Sequence, residues 1–139
     1  MENSHRIMDA LNEALTLEYS MIIHYPLINK AIKDLDVQDM VKVLGVDSIK
    51  HADVVADTVR SMGGKPSWNL DPAPDDIDLS KIFVSQLGKE KRAYLLHNDA
   101  ARLVPDNTLR TSFENIALQE LEHIKIVEYI LAALNNGGH

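Results

Sequence analysis

The sequence predicts an all-α fold, a four-helix bundle in which one connection is far longer than the other two. Three observations lead there. Apolar residues recur at spacings of three and four through four long stretches, the period of a helix face. The composition favours Leu, Ile, Val, Ala, Lys and Glu, with 5% aromatic residues, which suits helices better than a β-sandwich. The breaker residues that would end such helices cluster at three places. With 45% hydrophobic residues among 139, the chain can fill one core, and a single domain over residues 1–139 is expected.

The first helix is expected over residues 4–33. A turn at Asp34-Leu35-Asp36 leads to the second, over 37–62, which Gly63-Gly64 would stop. The third is expected over 78–104, with Asp78 as its N-cap and Pro105 beyond its end. The fourth follows over 106–136, and Gly137-Gly138-His139 reads as a frayed tail. The two short turns make the helices on either side of them antiparallel neighbours. The stretch from Gly63 to Ile77 differs, being about fifteen residues long and carrying Pro66, Pro72 and Pro74. Extended, it reaches roughly 50 Å, whereas a helix of this size is about 39 Å long. It can run the length of the bundle and leave the second and third helices parallel. No internal repeat or low-complexity tract is visible.

Composition also limits the function. There is no cysteine, which excludes disulfides, iron–sulfur clusters and thiolate sites, so any metal must take oxygen and imidazole ligands. The net charge of −7 argues against nucleic acid as a partner, because phosphate binding needs a basic face. The opening residues lack the apolar run of a secretory signal, and no uncharged stretch is long enough to span a bilayer. A soluble, cytoplasmic protein with no membrane partner is expected.

The apolar stripes are interrupted in a telling way. On the fourth helix the stripe reads Phe113, Ile116, Glu120, His123, Val127, Ile130, Leu134. On the second it reads Met40, Leu44, Ser48, His51, Val55, Thr58, Met62. On the third it reads Phe83, Leu87, Glu90, Tyr94, His97, Ala101, Val104, and on the first Ile7, Leu11, Leu15, Glu18, Ile22, Tyr25, Ile32. Each helix places an acid or an imidazole near the middle of its buried face. One such residue taken alone is ordinarily an edge residue or a hydrogen-bonded core histidine. Four helices doing so together is a different matter. A buried carboxylate must be paired, protonated or metal-bound, and no Lys or Arg lies on these stripes. Iron, manganese or zinc suits such a set of donors.

At these residues the chain resembles the bacterioferritin branch of the ferritin-like superfamily, from Leu11 to about Leu134. Leu11-Asn12-Glu13-Ala14-Leu15-Thr16-Leu17-Glu18 is similar to that family's opening run, and Tyr25 matches a tyrosine beside its metal centre. Lys50-His51-Ala52-Asp53 and Met62-Gly63-Gly64-Lys65-Pro66 are similar to its histidine segment and helix end. Glu90 and Glu120-Leu121-Glu122-His123 supply the remainder. The resemblance implies a ferritin-like bundle holding two iron ions. Glu18 with His51 would serve one, Glu90 with His123 the other, and Glu120 would bridge them. Ser48, Tyr25 and His97 would stand around these ligands, His97 as a core histidine, a supporting partner or an additional ligand.

This sequence departs from the family at three points. The family has a second bridging glutamate three residues before the second-helix histidine, where this chain has Ser48. Asp47, next to it, is turned about 100° around the helix and is expected to point away. A methionine that ligates haem between subunits is replaced by Ile49, which implies no haem. The larger shells add a short fifth helix, whereas this sequence stops after the fourth, so a homodimer or larger homo-oligomer is expected and a closed 24-subunit shell is not. Leu17, Met21 and Ile28, apolar but off the core stripe, are expected at the two-fold contact. The resemblance implies oxidation of Fe(II) by dioxygen or peroxide. The alternatives are a binding module with one redox-silent ion, for which Ser48 speaks, and an oxygenase acting on an organic substrate.

Overall fold

The structure is a computed structural model that describes residues 2–75 and 78–136, with side chains from residue 5 onward. Its four helices are α1, Glu2–Asn29; α2, Leu35–Ser61; α3, Leu79–Leu103; and α4, Asn107–Asn136. No strand occurs among the described residues. The expected Gly-Gly-His tail lies outside them.

The helix ends follow local chemistry. The Asp34 side chain accepts from the backbone N–H of Asp36 and Val37, starting α2 two residues earlier than residue 37. Asp78 caps α3 by accepting from Ser80 N–H at 2.9 Å, and Asp106 accepts from Thr108 N–H at 2.6 Å to start α4. Such caps are worth about 1 kcal/mol each. α1 stops at Asn29 rather than Lys33. Pro26 has already removed one donor near its end, and the chain tightens into i→i+3 bonds, from Ala31 N–H to Ile28 and from Ile32 N–H to Asn29. α2 closes on Gly63, whose φ of 82° only glycine adopts freely. Gly63 N–H reaches Arg60 O and Gly64 N–H reaches Val59 O, a Schellman closure.

The crossover then runs back along α1. A Cβ on Gly64 would sit 2.7 Å from Met8 Sδ, so a larger residue here would push the flexible Met8 side chain aside. Ser67 N–H donates to Asn12 Oδ1 at 2.9 Å, Trp68 stacks parallel on Tyr19 at 5.5 Å between centroids, and Asp71 N–H donates to Ser20 Oγ at 2.8 Å. Its anchors on α1 thus advance from Met8 to Ser20, about 18 Å along the axis. α3 therefore begins at the end of the bundle where α2 begins. Cross-helix pairs agree: Tyr25 meets Glu90 and Glu18 meets His97, so α1 and α3 run in opposite senses. α2 and α3 are parallel, as the long connection predicts.

Two apolar clusters fill the interior. One gathers Met21, Tyr25, Leu44, Phe83, Val127 and Ile130, and the other Leu11, Leu15, Val55, Val59, Phe113 and Ile116. On α1, α2 and α4, Glu18, Ser48 with His51, and Glu120 with His123 fall in sequence between the named members of the two clusters. Two expectations need correction. Leu17, Met21 and Ile28 are buried in the core and cannot form an exterior contact, because α1 packs against α3 as well as α2 and so buries a wide arc. The exposed large apolar residues of α1 and α2 are instead Ile23, Leu27, Leu35, Val43, Val46 and Ile49. On α3 the buried arc is rotated: Gln86 and Ala93 are buried, while Leu87 and Tyr94 are half-buried. No helix among the described residues is long and apolar enough to cross a membrane.

Candidate metal centre

Glu18, His51, Glu90, His97, Glu120 and His123 are each at most 2% exposed. They converge from all four helices. His51 Nδ1 lies 2.7 Å from Glu120 Oε1 and 3.3 Å from Glu18 Oε2. His97 Nε2 lies 2.9 Å from the same Glu18 oxygen. His123 Nδ1 lies 3.3 Å from Glu90 Oε2 and 3.9 Å from Glu120 Oε2. The donor atoms form two groups, Glu18–His51–His97–Glu120 and Glu90–Glu120–His123, each with its atoms within 4.8 Å of one another. Glu120 belongs to both.

The outer edges of two imidazoles are held. His123 Nε2 lies 2.8 Å from Asp47 Oδ2. A carboxylate only accepts, so this nitrogen carries the hydrogen and Nδ1 is left to face the acids. His51 Nε2 donates likewise to Gln119 Oε1 at 2.6 Å. Tyr25 OH donates to Glu90 Oε2 at 3.0 Å. Ser48 is fully buried one turn before His51, but its hydroxyl donates to Leu44 O at 3.0 Å and serves its own helix.

Asp47 is a correction. It is rotated off the buried face, as expected, yet from there it reaches across to the far side of His123. Gln119 was not singled out by the stripes for the same reason. Gln86, buried one turn before Glu90 with neither amide atom partnered, also escaped them. A signal did exist. Asp47 and Gln119 each precede a stripe histidine by four residues, and each serves the histidine of the other helix.

The charges are arranged to need a cation or protons. No Lys or Arg is buried among the described residues. Burial alone would raise the Glu18 pKa, but the contacts from His51 and His97 overcome it and bring it to about 2. Burial, reinforced by the charges of Glu18 and Glu90, pushes Glu120 well above the carboxylate range. His123 rises to about 9: burial opposes this, and Glu90 and Asp47 outweigh it. His51 is raised against burial by Glu18 and Gln119. Burial and the Glu90 charge lift Tyr25, which stays a neutral donor. Several inward atoms, namely Glu18 Oε1, Glu90 Oε1, both Glu120 oxygens and Nδ1 of His51 and His123, have no aligned hydrogen-bond partner. Unpartnered, buried oxygens facing imidazole nitrogens fit a divalent ion.

The fold and this cluster define a ferritin-like four-helix bundle. The solved structures similar to it include a ferritin-like, diiron-carboxylate protein from Bacillus anthracis, with a TM-score of 0.84, 18% identity and coverage of 94% of this chain and 99% of that one. The dodecameric thioferritin of Bacteroides fragilis has a TM-score of 0.79 at 20% identity, covering 93% and 86%. A Mycobacterium tuberculosis bacterioferritin has 0.78 at 23%, covering 95% and 87%. Likeness at such identities establishes the fold. No protein-family model matches the chain, and no curated protein matches it in sequence.

Proposed function

We propose that the protein binds two iron ions between its four helices and oxidises Fe(II) with dioxygen or peroxide, in iron handling or protection against oxidative stress. One observation carries this reading: three carboxylates and three imidazoles converge in the core, with no Lys or Arg buried among the described residues. Proteins named for diiron-carboxylate and bacterioferritin function share the fold, which supports it. Glu18 and His51 would hold one ion, Glu90 and His123 the other, and Glu120 would bridge. Manganese or zinc suits the same donors. Bound iron supplies the redox chemistry, passing electrons to the oxidant.

The chain supplies the remainder. Asp47 and Gln119 fix the imidazoles with Nδ1 inward. Tyr25 orients Glu90. Phe113, fully buried and stacked on His97, helps keep water from the polar layer. Glu120, held protonated without metal, gives up its proton when a cation arrives. As proposed, the protein is a cytoplasmic homo-oligomer without haem or nucleic acid, pairing through the apolar groove between α1 and α2, where Ile22, Pro26, Val46 and Ile49 meet. Ser48 favours a second reading, a module holding one redox-silent ion.

Metal analysis of protein purified without chelators, followed by oxygen uptake on adding Fe(II), separates these. Bound iron with Fe(II)-dependent uptake supports the oxidase. One zinc per chain without uptake supports the module. A chain that retains and binds no metal refutes both.

A further inference from the structure

The centre is built from two halves related by an approximate exchange of α1 with α3 and α2 with α4. Glu18 and Glu90 correspond, as do His51 and His123. Tyr25 follows Glu18 by seven residues and donates to Glu90 at 3.0 Å. His97 follows Glu90 by seven and lies 2.9 Å from Glu18. Each helix thus sends a residue two turns on to the other helix's acid. Ser48 corresponds in the same way to Glu120, each three residues before its histidine.

The correspondence fails in chemistry at one instructive place. Tyr25 is a phenol and His97 an imidazole. An imidazole nitrogen is a good ligand for a divalent ion, and a neutral phenol is a poor one. His97 is one of four buried residues whose donor atoms lie within 4.8 Å of one another, and its Nε2 lies 2.9 Å from the Glu18 oxygen that also faces His51, so small side-chain shifts would bring all four within the roughly 2.0–2.2 Å reach of a single ion. Its ring is steadied by stacking on Phe113 at 5.9 Å and an edge contact with His51 at 5.9 Å.

We infer that His97 is a metal ligand, so that the two positions are unequal: a two-histidine, two-carboxylate position at Glu18, His51, His97 and Glu120, which fills first, and a one-histidine position at Glu90, His123 and Glu120, which fills second. The added imidazole stands in for the missing carboxylate at Ser48 and lowers the negative charge of the first position. This selects there an ion that favours nitrogen ligands. The inference rests on the proposed metal centre and goes beyond it in assigning order and ligand number.

The test is an anaerobic titration of Co(II), a paramagnetic stand-in, into the full chain. At one equivalent, shifted proton resonances count the bound imidazoles. Native protein should show two, with two distinguishable binding phases. His97→Tyr copies the opposite half and should lower the first affinity by about 100-fold or more, above the roughly 10–100-fold typical of an outer partner, and leave one imidazole. One imidazole in the native protein at one equivalent, or two equal phases, overturns the inference while leaving the metal centre standing. No Co(II) binding at all refutes the centre itself. The native imidazole count decides the matter even if His97→Tyr does not fold, and His97→Gln provides a milder replacement.

Discussion

His123 on α4 is held from behind by Asp47 on α2, Nε2 to Oδ2 at 2.8 Å, although Asp47 lies off the buried face of its helix. The contact turns His123 Nδ1 toward Glu90 and, in the proposed centre, would make the ring a stronger ligand. Asp47→Ala should therefore weaken metal binding at the His123 position by about 10–100-fold. Asp47 is only half-buried, so the fold should survive the change. Calorimetric titration of both proteins checks this. Unchanged affinity would mean that the contact is structural.

The metal-free protein should lose stability as the pH rises. His123 has its pKa lifted from 6.5 to about 9, so its stabilising contribution is full below pH 6.5 and fades as the pH climbs through 9. His51 and Glu120 are also raised and act in the same direction. Glu18 is depressed to about 2 and contributes above pH 4.5, a contribution lost only in acid. Metal must displace the protons on His51, His123 and Glu120, so its affinity should increase over the window from 6.5 to 9. Thermal unfolding with and without Zn(II) across that window should show a widening gap. A constant gap would contradict the assigned protonation.

How much of this was legible in the sequence differs by feature. The four helices were, because their apolar period is long and their ends carry Asp34, Gly63, Asp78 and Asp106, whose effects are local. Glu18, His51, Glu90, Glu120 and His123 could be read as interruptions of apolar stripes. Asp47 and Gln119 could not be assigned, since their partners are 76 and 68 residues away and depend on the register between α2 and α4. The wide buried arc of α1 hid the true exterior for a related reason. Packing against α3 and the crossover decides it, and neither leaves a periodic mark. The correspondence of Ser48 with Glu120 and Tyr25 with His97 is too sparse to be visible as a repeat.

Ser48 marks where a fourth carboxylate would stand. Its side chain is fully buried one turn before His51, and its hydroxyl makes one bond, to its own helix. Ser48→Glu should raise affinity for the second ion by about tenfold and speed Fe(II) oxidation, provided the core admits the longer side chain. Stopped-flow absorbance after mixing with Fe(II) reads the rate. If neither affinity nor rate changes, Ser48 does not face the metals.

The exterior contact is predicted at the α1–α2 groove. Ile49 is 47% exposed and Val46 51%, both large apolar side chains at its edge. Light scattering at micromolar concentration should show a homodimer or larger species, and Val46→Glu with Ile49→Glu should yield monomers. A native monomer would remove the grounds for this contact. The same protein, expressed with ample haem, should show no Soret band.

The central claim is that the buried acids and imidazoles form one metal centre joined through Glu120, which touches both groups of donors. The most direct measurement is the number of Fe(II) ions bound per chain at equilibrium, without oxygen, in the native protein and in Glu120→Ala. The account predicts two ions for the native chain, and for the variant at most one, bound far more weakly. Equal stoichiometry and affinity in the two proteins would contradict it.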